Sequence, residues 1–449
     1  MSQPTHDQAQ AHFMALADGV QGALRGEERF LASLIGEQTD FVRINRGRIR
    51  QPGSVQQRGL TLRLVEGRRH ASAELTLSGA LDEDLARARA ALDGLREVLP
   101  ALPDDPHLLL CDDQTQTADI GPNHLPSGAD IVDAALSAAG DAVDLVGIYA
   151  GGEVTRAFAS STGQREWFSR SSFTLDWCLV HSADKAVKNT LAGATFDESA
   201  LRSRMDQARA ELSVLARPAR TLSPGGYRAW LSPAAVGEVM GLLSWGAFSA
   251  RSLAARTSPW SRLESGEARL DPRVCITEDN AGGVAPRFQA EGFRQPAAVP
   301  LIEGGALVGR LVSPRSALEF GLPQNGANAN EQPGSIAMAG GALPTAEALR
   351  ALGTGVWVGN LWYLNWTDRS VGRFTGMTRF ASFWVENGEI VAPIDVMRFD
   401  DTLYRWLGSE LIEIGAETPL QLSTDTYFNR STDSLRLPGL LISDLRFTL

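Results

Sequence analysis

Cysteine is scarce in this chain of 449 residues: Cys111, Cys178 and Cys275 stand far apart. That spacing excludes a disulfide framework and a thiolate zinc site, and it leaves the three as small apolar residues for a core. Histidine stops early, at positions 6, 12, 70, 107, 124 and 181, with none beyond. A zinc hydrolase of the His-Glu-x-x-His kind needs two imidazoles one helical turn apart and a carboxylate to take a proton from the metal-bound water, and no such set is present. No Gly-x-Ser-x-Gly elbow supports a Ser-His-Asp arrangement either. Apolar runs long enough to span a bilayer are lacking, and Met1-Ser2-Gln3-Pro4-Thr5-His6-Asp7 has neither the charged nor the apolar region of a secretory leader, so a cytoplasmic location is expected. A basic stripe is missing as well. The net charge of −11 repels phosphate backbones. The alternating arginines of Arg43-Ile44-Asn45-Arg46-Gly47-Arg48-Ile49-Arg50 read as the solvated face of a strand. Neither a nucleic-acid nor a membrane partner is expected.

What is present describes a globular protein. The hydrophobic fraction of 43% and charged fraction of 21% are ordinary, and at about 150 residues per domain the length gives two or three domains. A helical pattern over Phe13 to Leu24 turns at Gly36 into extended stretches; Thr61 to Arg68 and His70 to Leu77 make a hairpin about Gly67. Leucines and alanines at three- and four-residue spacing predict a helix from Asp82 to Leu99, stopped by Pro100, Pro103 and Pro106. A short strand at His107 to Cys111 and a helix over Ile131 to Ala139 follow. A meander of strands at Val143–Tyr149, Glu153–Ser160 and Glu166–Val180 comes next, broken by Gly151-Gly152 and Thr162-Gly163. Glu198 to Leu215 reads as a long helix, and Pro218 to Gly226 as the linker at the main boundary. Beyond it lie a helix at Pro233 to Leu253 and short extended pieces, with turns at Gly304-Gly305 and at Asn387-Gly388, an Asn-Gly hairpin signal. The fold class expected is α+β: an N-terminal α/β region in two parts, 1–105 and 106–217, and a mainly antiparallel β domain, 218–449.

Few motifs carry chemistry by themselves. Gly353-Thr354-Gly355-Val356-Trp357-Val358-Gly359 has the glycines of a phosphate loop but runs into an extended segment, so it reads as a helix cap and a strand. Asp112-Asp113 and Asp400-Asp401 could bind a hard cation, but adjacent carboxylates without further ligands read as loop ends. Trp357, Trp362, Tyr363, Trp366 and Trp384 form a dense aromatic set, either core or a platform for a peptide or a partner subunit. Trp362, Trp366 and Trp384 are the candidates for the latter.

Several stretches in order resemble the TldD/PmbA family: Arg58-Gly59-Leu60-Thr61-Leu62-Arg63-Leu64-Val65-Glu66-Gly67, then Leu231-Ser232-Pro233-Ala234-Ala235-Val236-Gly237-Glu238-Val239-Met240. Phe383-Trp384-Val385-Glu386-Asn387-Gly388-Glu389-Ile390, similar to the family's Glu-Asn-Gly hairpin, and Pro438-Gly439-Leu440-Leu441-Ile442 follow. The resemblance implies a place for the zinc motif of the family's catalytic branch, TldD. Its His-Glu-x-x-x-His helix falls with the first histidine at Gly241, the glutamate at Leu242 and the second histidine at Gly246. Its third ligand, a cysteine near the C-terminus, falls near Asn429 to Thr432. All are replaced, as in the PmbA, or TldE, branch.

By that resemblance the chain binds no metal and has no catalytic residues of its own. It pairs with a zinc-bearing TldD-type chain as a heterodimer, completing a chamber that takes unfolded or modified peptides. The family's older label, modulator of DNA gyrase, fits poorly with direct DNA contact at this net charge. Two other readings stay open: a homodimeric peptide-binding or scaffold protein, and a hydrolase whose site the sequence does not reveal.

Overall fold

The computed structural model describes residues 6–140, 143–182 and 185–448; Met1 to Thr5, part of the leader reading, lie outside them. The first sheet is built from β1 (Arg29–Asn45), β2 (Arg48–Glu66), β3 (Arg69–Thr76), β4 (Gln116–Ile120), β5 (Asp144–Ser160), β6 (Arg165–Ser182) and β7 (Lys185–Gly193). The strand order is β3-β2-β1-β5-β6-β4, with β7 also paired to β6. Alternation along β1 decides which face meets which layer. Phe30, Ala32 and Leu34 join Leu60, Leu62 and Leu64 under the helices α1 (His6–Gln21) and α2 (Leu81–Val98), whereas Leu31 points the other way, to Phe158, Phe168 and Phe288. Beneath α2, Ala88, Leu92 and Leu95 recur at helical spacing and are buried. The helices α3 (Gly128–Ala139) and α4 (Glu198–Leu215) close a second core with Tyr149, Phe173, Leu175 and Trp177.

The α+β class holds, but several sequence boundaries move. The division at 105/106 runs through one sheet, because β1 pairs with β5 from Leu31↔Ser160 to Ile44↔Gly147; the partner of a strand is a long-range choice that local pattern does not encode. Gly36 lies inside β1 and Gly151-Gly152 inside β5. At Gly152 a side chain would run into the carbonyl oxygen of Gln38, so this glycine permits a close backbone approach and makes no turn. The arginine run from Arg43 to Arg50 is two strands, since Arg46 and Gly47 both have positive φ (54° and 63°) and form the tight turn between β1 and β2. His107 to Cys111 is loop: Asp105 accepts from the His107 backbone N–H at 2.9 Å, and Cys111 contacts the Gly292 carbonyl.

The strands from residue 225 onward make two further sheets, one of nine strands and one of six. At the centre of the larger, β8 (Gly225–Leu231) lies between the antiparallel strand Leu440–Phe447 and the parallel strand Gly355–Val358. The helix α5 (Pro233–Leu243) leaves β8 at once, with Pro233 in its first turn and the Ser232 hydroxyl accepting from the Ala235 N–H at 3.2 Å. It ends at Leu243, ten residues short of the expected helix. Gly246, at φ 81°, turns the chain before a separate short helix at Ala250–Ala254. The expected Asn387-Gly388 hairpin is present, with both residues at positive φ, and Gly353 caps a helix before the strand Gly355–Val358. No helix among the described residues is long and apolar enough to cross a membrane.

Candidate functional site

The main cavity, a cleft of about 640 Å³, opens between the first sheet and the domain that follows it. Its floor is α5. Pro233, Ala234, Gly237, Glu238, Gly241 and Ser244 face the cleft, while Val236, Val239 and Leu243 pack into the core of the second half. One wall comes from the first half, with Asp176 on β6, Lys188 on β7 and Arg204 and Glu211 on α4. The second half adds Trp230, Trp357, Asn360, Gln421 and Asp433 to the lining.

The charges in the cleft are partly answered. Lys188 Nζ is 3.8 Å from Glu238 Oε1, and Asp176 Oδ1 accepts from the Thr190 hydroxyl at 2.6 Å. Arg204 donates to the Thr190 carbonyl at 2.8 Å, and burial lowers its pKa. Burial holds Glu238 above the usual carboxylate range; Lys188 opposes this and Asp176 reinforces it. Glu211 and Asp433 are raised by burial too, opposed by bonds from Gln207 and Ser431 respectively. On the apolar side, Trp230 and Trp357 lie 6.0 Å apart at 31°. Gly439 makes room for Trp230, since a side chain there would strike the indole. Asn360 is 6% exposed, and its Oδ1 has no partner among the described residues.

The structure separates the three positions assigned to the lost zinc motif. Gly241 lines the cleft with open space beside it, Leu242 is buried in the core, and Gly246 lies beyond the end of α5. The acid that does face the cleft is Glu238. Sequence reasoning passed over it, although Gly237-Glu238-Val239-Met240-Gly241-Leu242 carries a glutamate in second place and glycine and leucine where His-Glu-x-x-x-His has histidines. A side chain at 237 would meet Gln421 Oε1 at 2.5 Å, and Gln421 is fixed by its bond to the Pro233 carbonyl. Lys188, Asp176 and Asn360 were equally illegible, because the fold brings them together from three distant stretches.

The segment Asn429 to Thr432 belongs to a loop that borders the cleft through Ser423, Thr424 and Asp433. Within it Arg430 is 4% exposed and donates to the Gly152 and Ser172 carbonyls at 3.1 and 2.8 Å. No histidine or cysteine lines the cleft, and among the described residues no three His, Cys, Asp or Glu side chains gather as metal ligands. The donor set does not fit a zinc ion. Histidines 12 and 70 are paired with Asp84 and Asp105, away from the cleft. Asp112 pairs with Arg29 and Asp113 bonds Thr115. Asp400 pairs with Arg373, and Asp401 with Arg405 and Trp406. Neither acidic pair is a cation site.

None of Trp362, Trp366 and Trp384 lines the cleft. Trp366 packs against Phe374, and Trp384 lies under Arg220 with its Nε1 on Glu386. Trp362 is 39% exposed on the strand Leu361–Asp368 at the edge of the nine-stranded sheet, stacked by Arg379 and beside the exposed Tyr363. The tryptophans of the cleft are Trp230 and Trp357.

The α+β fold is shared with solved structures. TldE from Thermococcus kodakarensis superposes with a TM-score of 0.79 at 13% identity, over 98% of this chain and all of that one. A candidate modulator of DNA gyrase from Thermotoga maritima gives 0.76 at 14%, over 97% of this chain and 100% of that one. Another from Bacteroides thetaiotaomicron gives 0.73 at 14%, over 99% of both. A search of curated protein sequences returned no match. The model of the PmbA/TldA metallopeptidase C-terminal domain matches residues 224–449, just over half of the chain. The chain belongs to that family, the TldD/PmbA family its sequence resembles.

Proposed function

We propose that this chain is a non-catalytic, TldE-like subunit of a metallopeptidase complex, which holds unfolded or modified peptides while a TldD-type partner supplies the zinc. The observation that carries the reading is the floor of the cleft. In a family of metallopeptidases, the helix expected to bear the metal ligands offers glycines and one glutamate, and the walls add carboxyls, amides and tryptophans without an imidazole or a thiolate. The half-buried indole of Trp357 and a few fixed polar groups suit a peptide held by shape and backbone contacts. Trp362 and Tyr363, exposed on an edge strand, are aromatic residues placed to meet a partner subunit.

Co-expression with a TldD-type chain tests this. The expected outcome is a heteromeric species on size exclusion that cleaves unfolded peptide, about one zinc per pair by elemental analysis, and no zinc retained by this chain alone after dialysis. One zinc per isolated chain, lost on substitution of any residue of the cleft, would overturn the reading.

A further inference from the structure

The cleft carries an imbalance of charge together with an unfilled polar group. Asp176, Glu211, Glu238 and Asp433 stand against Lys188 and Arg204. Arg204 is committed to the Thr190 carbonyl, and Lys188 stays 3.8 Å from Glu238, too far for a hydrogen bond. Partial desolvation raises the pKa of Glu211, Glu238 and Asp433, with Lys188 acting against the rise at Glu238 and Arg156 at Asp433. Independently, Asn360 Oδ1 has left water without gaining a donor, a state that costs roughly 1–3 kcal/mol until a donor arrives. Both features ask for an N–H group, and the first asks that it be positive. The half-buried Trp357 favours the same ligand, since indole attracts cations. The open space beside Gly241 leaves room for the ligand backbone on the floor.

We infer that the cleft selects peptide segments bearing a cationic nitrogen, either a lysine or arginine side chain or a free amino terminus. The charge lies against Glu238 and Asp176, and a peptide or cationic N–H is donated to Asn360 Oδ1. The inference rests on the reading of this chain as a peptide-holding subunit and names the class of segment that it holds. Lys188 then acts as the internal competitor of the ligand. Removing it uncovers Glu238 for an incoming cation, whereas neutralising Glu238 removes the attraction.

Fluorescence anisotropy with labelled, unstructured peptides of equal length tests this on the full chain, alone and with a TldD-type partner. One peptide has blocked ends and a central lysine, the second acetyl-lysine in its place, the third glutamate, and the fourth a free amino terminus without lysine. The lysine peptide, the free-amine peptide or both should bind roughly tenfold more tightly than the acetyl-lysine peptide, with the glutamate peptide weakest. Comparison of the first and fourth tells a side-chain ammonium from a terminal one. Glu238→Gln should erase most of that preference and Lys188→Gln should strengthen it, with unchanged thermal melting. Opposite signs would not follow from a general loosening of the fold. Equal affinity for the lysine, free-amine and acetyl-lysine peptides, with binding retained, overturns the charge selection and leaves the peptide-holding reading intact. The two variants shifting affinity in the same direction also overturns it. Absence of binding to every peptide, by the chain and by the complex, overturns both.

Discussion

Glu278 is 3% exposed, with Oε1 accepting from the Gly334 and Ser335 N–H groups at 2.7 and 3.1 Å and Oε2 without a partner among the described residues. Burial pushes its carboxyl from an ordinary 4.5 up to about 7; the two backbone bonds oppose the rise, and Asp433 and Asp279 add to it. The folded state therefore holds this proton more tightly than the unfolded chain does. Its contribution to stability is best below pH 4.5 and is lost as pH rises towards 7, by about 3 kcal/mol in all. Glu278→Gln keeps the Oε1 acceptor and cannot ionise. Urea unfolding should therefore show the variant gaining on the wild type between pH 5 and pH 8, by about 2 kcal/mol or more. A difference between the two proteins that stays constant over that range would mean that Glu278 is not the titrating group.

The loop ending at Asp433 shows how one side chain places an element. Arg430 reaches into the first sheet, donating to Gly152 and to the carbonyl and hydroxyl of Ser172, while its backbone N–H donates to Glu37 at 2.9 Å. Burial lowers its pKa to about 10, with Glu37 acting against the fall. Arg430→Met would leave the Gly152 and Ser172 carbonyls and the Ser172 hydroxyl without the guanidinium, and would take away the positive charge that faces the buried Glu37, which keeps its bonds from Gln57 and from the backbone N–H of residue 430. A loss of about 3 kcal/mol in urea unfolding is expected; a loss under 1 kcal/mol would mean that water replaces the guanidinium. None of this was legible in the residues Asn429 to Thr432, because their partners are nearly 260 positions or more away in the chain. What could be read was local. The helix at Glu198–Leu215 is announced by its periodicity and by Asp197, which caps it, and the Asn387-Gly388 turn by its two left-handed residues. Ser232-Pro233 marks the start of α5, but its end was missed, since a leucine-rich run carries helical pattern past Gly246. The site divided in the same way. The helix was found, while Glu238, Lys188 and Asn360 needed the fold, and the tryptophans conspicuous in the sequence, Trp362, Trp366 and Trp384, lie outside the cleft.

At the scale of the whole molecule, the cleft depends on two halves that share their cores. Phe383, from a strand of the nine-stranded sheet, is fully buried among residues of the first half that include Trp177 and Met205. Phe288 does the same from the other side with Leu31, Phe158 and Phe168, and nearby Arg294 pairs with the buried Glu166 at 2.9 Å. Neither half can leave without exposing apolar surface of the other, so heating should give a single cooperative transition in place of two. Phe383→Ala removes a ring that both halves enclose and should cost roughly 3–5 kcal/mol. Calorimetry distinguishes shared from separate cores. A single peak that moves down as a whole in the variant is expected, whereas two peaks, only one of them shifted, would show that the halves fold independently. A single peak also bears on the cleft, because walls belonging to one cooperative unit keep Glu238, Lys188 and Asn360 in register across the gap. Charge selection of the kind inferred requires that register, since a donor held loosely by an ångström or more loses the geometry of a hydrogen bond.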